Sequence, residues 1–458
     1  MTSLAIPHPR PAALLGVAVA IAIGSQAMSP FLGPGRLSLP QTPPVESRPE
    51  ALPAPDPAIG APDVALVSID SAIGRWTANV KRDPVDYISA TNLGSLYASR
   101  ARLTGSLDDY ARARRAAEQA MEAASSYVPA RVLDAALLYA THDFAAAATA
   151  ARAIFAAQPT QLQALATLGD ADLELGDYAG AQSAYARLAS VAPGAAVTAR
   201  LARLAWLKGD PAGALAMADE ATAEAETGGA AGASLAWYRY LAGFVAFQAG
   251  ELPAARSRFE AALADQPGSY LALNGLARVR AAEGRYVDAI TLDRQAIAIV
   301  PQPEFLGELG DLYRLTGQET LAKEQYATVR AIAGLAAINR QVYNRQLVLF
   351  DVNHGEQLDE ALALATTELA VRKDVYGYDA YAWALLANGR AAEADEAMAH
   401  ALSLGTRDAL LLYHAGMIAR AVGDASRART LLTDALALNP GFDPLQVVRA
   451  RAALEELR

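Results

Sequence analysis

Five histidines, four lysines and no cysteine bound the side-chain chemistry open to this 458-residue chain. Without cysteine there is no disulfide, no thiolate zinc site and no thiol nucleophile. His8 belongs to an apolar N-terminal segment, and His142 and His354 fall in turns between helical segments. His400 and His414 flank Asp408, and two imidazoles with a carboxylate are competent metal ligands. No HExxH or comparable short spacing accompanies them, so they read as hydrogen-bonded packing residues. The chain also lacks GxxxxGK[ST], GxSxG and a GxGxxG following a strand. Neighbouring acids such as Asp108–Asp109 and Glu455–Glu456 read as solvated helix faces. The expectation is a protein with no catalytic residues, no metal and no cofactor, hence not an enzyme.

What remains is binding chemistry. Trp237, Tyr240, Phe244 and Phe247 set four large rings along one helical segment. The stretch from Arg372 to Asp379, with Trp383 and then Gly405 to Asp408, is the most chemically varied part of an alanine-rich chain. It suits a recognition patch. It equally suits a polar network in which Arg372 or Arg407 bonds Asp374 or Asp408. A net charge of −10 argues against nucleic acid, whose phosphates require a basic face.

These residues must be positioned by helices. With 53% hydrophobic and 19% charged residues the chain is too apolar for disorder. Glycines recur at Gly176, Gly209, Gly250, Gly284, Gly317, Gly355, Gly389 and Gly423, each between two apolar-periodic segments. Such a glycine ends one helix, and the polar residue after it starts the next. Small residues keep a spacing of 12 and then 7, as in Gly243/Ala255/Ala262, Ala277/Ala289/Ala296, Ala382/Ala394/Ala401 and Gly416/Ala428/Ala435. That spacing lets facing helices approach closely, with Tyr185, Phe259, Tyr326 and Leu432 filling complementary positions. Pro159, Pro193, Pro267, Pro301 and Pro440 close the units.

The pattern resembles the tetratricopeptide-repeat (TPR) family, most clearly at Leu168-Gly169 … Gly176-Asp177-Tyr178 … Ala181 … Tyr185 … Pro193 and at Leu309-Gly310 … Gly317 … Ala322 … Tyr326. The resemblance implies an all-α solenoid, a right-handed superhelix of about ten helix-turn-helix units. It also implies a concave groove lined by the first helix of each unit. Carried across position by position, the groove residues are Trp206, Trp237, Tyr240, Phe244 and Phe247, then Asn274, Arg278, Asp311 and Arg314, and finally Tyr376, Asp379, Trp383, Tyr413 and Arg420. Aromatics beside Arg and Asn suit protein or peptide segments as partners. The expected function is a non-enzymatic scaffold; the alternative is a sensory module closing around a ligand or peptide. A chaperone-type carboxylate clamp is set aside, because four scattered lysines cannot build it. Lengthened turns are expected in the first unit and at Asp351 to Gln357, and an insertion near Thr227 to Ala233.

The N-terminal region reads differently. Residues Ala12 to Ile23 form an apolar run followed by small residues at Ser25 and Ala27, fitting a signal peptide or a retained membrane anchor. Prolines from Pro30 to Pro62 follow, the composition of a semi-rigid tether. The expected organisation is 1–28 signal or anchor, 29–63 linker, 64–89 N-terminal capping helix region, 90–440 solenoid and 441–458 C-terminal capping helix. The chain is accordingly expected to be exported, or anchored with its repeats outside the cytoplasm, in a bacterial envelope. The membrane is then a partner only through an uncleaved N-terminal segment.

Overall fold

The computed structural model describes residues 64–338 and 345–457. The signal or anchor segment and the proline-rich tether lie outside the described residues. Among these there are 22 α-helices and no strands. The N-terminal helix α1 spans Val64–Arg82, and ten helical pairs follow. Each pair has a first helix (α2, α4 and so on to α20) and a second (α3, α5 and so on to α21), and α22, Gln446–Glu456, closes the array.

The pairs bearing on the site are α6 (Leu162–Leu175) with α7 (Tyr178–Val191), α8 (Ala195–Leu207) with α9 (Pro211–Thr227), and α10 (Ala233–Gln248) with α11 (Leu252–Asp265). They are followed by α12 (Tyr270–Ala282) with α13 (Tyr286–Ile299) and α14 (Pro303–Leu315) with α15 (Glu319–Ile338). The last three are α16 (Arg345–His354) with α17 (Leu358–Val371), α18 (Val375–Ala387) with α19 (Ala391–Leu402), and α20 (Ala409–Ala421) with α21 (Ala425–Leu438).

Local chemistry sets the boundaries. At Gly176-Asp177 the glycine adopts φ 85° and ends α6, and the Asp177 carboxylate accepts the Gly180 N–H at the start of α7. The glycine meets the backbone's left-handed requirement, and the aspartate satisfies an otherwise unpaired donor. The second pair, α4 (Val128–Ala140) with α5 (Phe144–Ala157), uses the same device without glycine: His142 takes the left-handed position at φ 65° and Asp143 caps the next helix. That substitution hides the turn from a search for periodic glycines. Close approach of paired helices is equally specific. A Cβ on Gly243 would lie 2.8 Å from the Phe259 ring, so the glycine is the socket for the ring opposite.

Two irregularities differ from expectation. The first pair, α2 (Tyr87–Thr104) and α3 (Leu107–Ala123), is joined by only Gly105-Ser106, and its extra residues are absorbed as longer helices of 18 and 17 residues. Between α16 and α17 the turn is 355–357, no longer than its counterparts; the irregularity lies instead in a 10-residue α16 and a 20-residue α15. The insertion near Thr227 to Ala233 extends α9 to 17 residues and leaves a short glycine-containing loop.

The array also does something that the helical period does not announce: its second turn rests on its first. Arg372 Nη2 donates to Glu174 Oε2 at 2.5 Å across 198 residues, and Thr406 Oγ1 donates to the Leu207 carbonyl at 2.5 Å across 199. Asn439 Nδ2 reaches the Phe247 carbonyl at 2.7 Å across 192, and the Val375 N–H donates to the Tyr178 hydroxyl at 2.8 Å. Val300 packs against Gly105, and the backbone of Gly405 against Gly209. The turn inside one unit thus abuts the loop five to six units later, repeatedly along the molecule. Most solenoid repeats touch only their neighbours; here a second layer of contacts is added.

Candidate functional site

The seam between turns is polar and buried. Glu174, fully buried, accepts from Arg203 Nη2 at 2.5 Å through Oε1 and from Arg372 through Oε2. Burial pushes its carboxyl up, but Arg203 and Arg372 push it down harder, to about 2. Arg372 also pairs with Glu368 at 3.1 Å and lies over the Phe144 ring at 4.8 Å. Arg345 joins Glu368 to Asp374. The chemically varied stretch therefore supplies a network that locks two superhelical turns.

Inside the superhelix lies a cavity of about 200 Å³, walled by first helices α10, α12, α14, α16, α18 and α20 and closed by residues 441–444. Six of the expected groove residues converge on it: Phe244, Phe247, Arg278, Asp311, Tyr376 and Asp379. Their side chains are mostly spent on internal partners. Phe244 and Phe247 line the cavity but are buried. Arg278 pairs with Glu304 and, at 2.6 Å, with Glu308. Asp311 accepts from the Tyr326 hydroxyl at 2.6 Å and pairs with His354 Nε2 at 2.8 Å. Tyr376 accepts the Trp206 indole N–H at 3.1 Å, and Asp379 pairs with His414 Nδ1 at 2.9 Å.

The other expected residues lie elsewhere. Trp206 is buried in the seam. Asn274 is buried beside the cavity, its amide shared between Asp293 at 3.1 Å and Glu308 at 2.6 Å. Trp237 and Tyr240 line a separate cleft against α1 and α2, Trp237 edge-on to Tyr238. Trp383 donates to Asn353 at 2.9 Å and stacks on His414 at 4.2 Å, and Tyr413 is buried against Phe442. Arg314 is exposed, and exposed Arg420 pairs with Glu456 of α22. The rings expected to stand open along a groove are thus largely packed, because the wall that a partner would face is occupied by the next turn of the same chain. His400 stacks on Tyr378 at 4.9 Å while His414 pairs with Asp379, so each histidine has its own partner.

The cavity contains residues that the repeat pattern did not single out. Seven carboxyl groups line it against two guanidiniums, Arg278 and Arg345. Asp293 is 1% exposed, and burial, reinforced by Glu308, pushes its carboxyl well up. Burial likewise raises Glu304 and Asp408, and takes Asp443 to about 6. Asp408 and Asp443 cap helices, Asp408 accepting from Leu410 N and Leu411 N and also from Gln248 at 2.9 Å. One signal was available in the sequence: Glu304, Glu308 and Asp311 recur at spacings of 4 and 3 on α14, an acidic stripe on one face. Asp293, on a second helix, and Asp443, in the closing loop, join them only through superhelical closure. Among the described residues no group of three or more His, Asp or Glu is placed to hold a metal ion, and no helix is long and apolar enough to cross a membrane.

The sequence profile of the tetratricopeptide repeat matches residues 166–231 and 240–304. Solved structures similar to the chain include a tetratricopeptide-repeat protein from Parabacteroides merdae, at 14% identity and TM-score 0.40, covering 58% of this chain and 94% of that one. PilW, a type IV pilus biogenesis factor, is 19% identical with TM-score 0.38, covering 45% and 93%. The human IFIT1 dimer with PPP-AAAA is 12% identical with TM-score 0.45, covering 82% and 95%. No curated protein matches the chain. Residues 166–231 and 240–304 thus carry tetratricopeptide repeats, within an array of ten consecutive helical pairs. Arrays of this class are protein-interaction scaffolds, typically without catalytic activity.

Proposed function

We propose that this chain is a non-enzymatic scaffold of the cell envelope, exported or held by its N-terminal segment, that engages protein or peptide segments at the cavity of its superhelix. The observation that carries the reading is convergence: six residues at groove positions of four different first helices meet around one concave space. Phe244 and Phe247 stand there beside carboxylates, a combination of apolar contact and hydrogen-bonding anchors suited to a peptide side chain. The apolar run Ala12 to Ile23 and the prolines after it support the envelope location. A sensory module that changes superhelical pitch finds less support, because such motion must break the buried Glu174–Arg372 contact.

Site-specific photo-cross-linking tests the reading. A photoreactive residue at Leu410, on the cavity wall, should give a discrete adduct in the native host, whereas one at exposed Val191 or Val287 on second helices should not. Equal yields from all three positions would remove the cavity from the proposal.

A further inference from the structure

The cleft lined by Trp237 and Tyr240 shares none of its lining with the cavity. It measures about 410 Å³, inside the 300–1,000 Å³ range of ligand pockets, and α1, α2, α10 and α12 wall it. Trp237, Tyr240 and Tyr270 set three aromatic rings along it. Arg102 is its one charged group among the described residues. The Arg102 guanidinium donates to Ser99 Oγ at 3.0 Å and makes no ion pair with a described residue, whereas its neighbour Arg100 pairs with both Asp70 and Asp109. Rings beside a single cation match an extended, proline-rich segment that carries one acid.

The chain itself supplies such a segment close by. Ile69 of the cleft lies on α1, five residues or about 7.5 Å of helix from Val64. Residues 53–57, Pro-Ala-Pro-Asp-Pro, lie outside the described residues and are separated from Val64 by six positions. Six residues reach about 20 Å when extended, more than the length of helix to be retraced. Gly60 among them tolerates the reversal of direction. We propose that residues 53–57 dock in this cleft of the same chain, prolines against the Trp237 and Tyr270 rings and the Asp56 carboxylate on Arg102. Proline enters such a contact with little freedom to lose, because its φ is already fixed. The short connection holds the segment at an effective concentration of about millimolar, so a weak contact suffices. The array is thereby held at a fixed attitude to its own N-terminal segment, independently of what the cavity binds.

Photo-cross-linking within the purified full chain tests the docking. p-Benzoylphenylalanine at exposed Ala231, on the cleft rim, should form an adduct with residues 53–57, mapped by mass spectrometry. The adduct should run at the mass of one chain and keep its yield on dilution. Arg102→Glu should lower that yield about threefold to fivefold, the worth of one exposed charge pair. The charge swap Arg102→Glu/Asp56→Arg should restore it, which a merely misfolded array could not do. The triple variant Pro53→Ala/Pro55→Ala/Pro57→Ala leaves every described helix untouched and should lower the yield as far. An adduct between chains would assign the cleft to a second copy and overturn the proposal. So would an adduct mapping elsewhere, no adduct at all, or a yield that either the Arg102→Glu or the proline variant leaves unchanged.

Discussion

Glu174 makes the sharpest test of the seam. It is fully buried between Arg203 and Arg372, the first on the adjacent unit and the second 198 residues away. Glu174→Gln keeps the shape and most of the hydrogen-bonding capacity but deletes the charge. Arg203 and Arg372, with side chains 5% and 2% exposed, then stay buried with less compensation. Breaking one side of a buried pair costs about 3–5 kcal/mol, a large share of the 5–15 kcal/mol that holds an ordinary domain together. Urea denaturation followed by circular dichroism should therefore show a lowered midpoint, and small-angle scattering in buffer an increased radius of gyration as the turns separate. Glu393→Gln, which removes the exposed Arg390–Glu393 pair within one helix end, is the control and should leave the midpoint where it is. A loss from Glu174→Gln below about 1 kcal/mol, the worth of a surface pair, with unchanged scattering, would refute the claim that this contact locks two turns.

Other predictions follow from the same geometry. Gly209 and Gly284 share a positive φ, 78° and 74°, but a Cβ on Gly209 would collide with the Gly405 carbonyl whereas one on Gly284 meets nothing within 4 Å. Gly284→Ala should cost about 1–2 kcal/mol from backbone strain, and Gly209→Ala a further 1–3 kcal/mol or so from overpacking, read as a difference in thermal midpoint. Trp206→Phe removes the 3.1 Å bond to the Tyr376 hydroxyl and should cost about 1 kcal/mol in chemical denaturation. Burial raises Asp172, Asp351 and Asp443 to about 6, so the folded state holds protons there that the unfolded chain has released. Stability should fall as pH rises from about 4 to 6, opposed by His142, which burial depresses to about 4 and whose contribution grows over that interval. Below about pH 4.5 protonation of Glu174 should reverse the trend, giving a maximum near pH 4–5 in a pH series of melting curves; a monotonic rise from pH 4 to 7 would contradict the burial of these carboxyl groups.

The fold was legible because each unit writes its own local code. Gly176-Asp177 is a stop and a start, Gly243 and Phe259 are socket and ring, and the 12-and-7 spacing follows from helix geometry alone. His142 shows the code's tolerance: the turn keeps its backbone without its usual residue. Superhelical closure was not legible, because the rotation between units is a sum of small packing angles that no residue pattern states. That is why Trp206 and Tyr376, assigned to an open groove, meet each other across the seam. It is also why Asp293 and Asp443 were missed, since their place in the cavity depends on turns and loops far apart in sequence. The Arg372 to Asp379 stretch stood out by composition, but whether it recognised a partner or bonded internally depended on Glu174, 198 residues earlier.

Contacts spaced 192 to 199 residues apart have an evolutionary consequence. Open repeat arrays drift in length, because duplicating or losing a unit alters only two junctions. In this molecule such an event between Phe247 and Arg372 would move every later unit out of phase with the turn beneath it. Asn439 would miss the Phe247 carbonyl and Thr406 would miss that of Leu207. Copy number between those residues is therefore under selection as strict as that on any single side chain. Growth of the array remains open only beyond its ends.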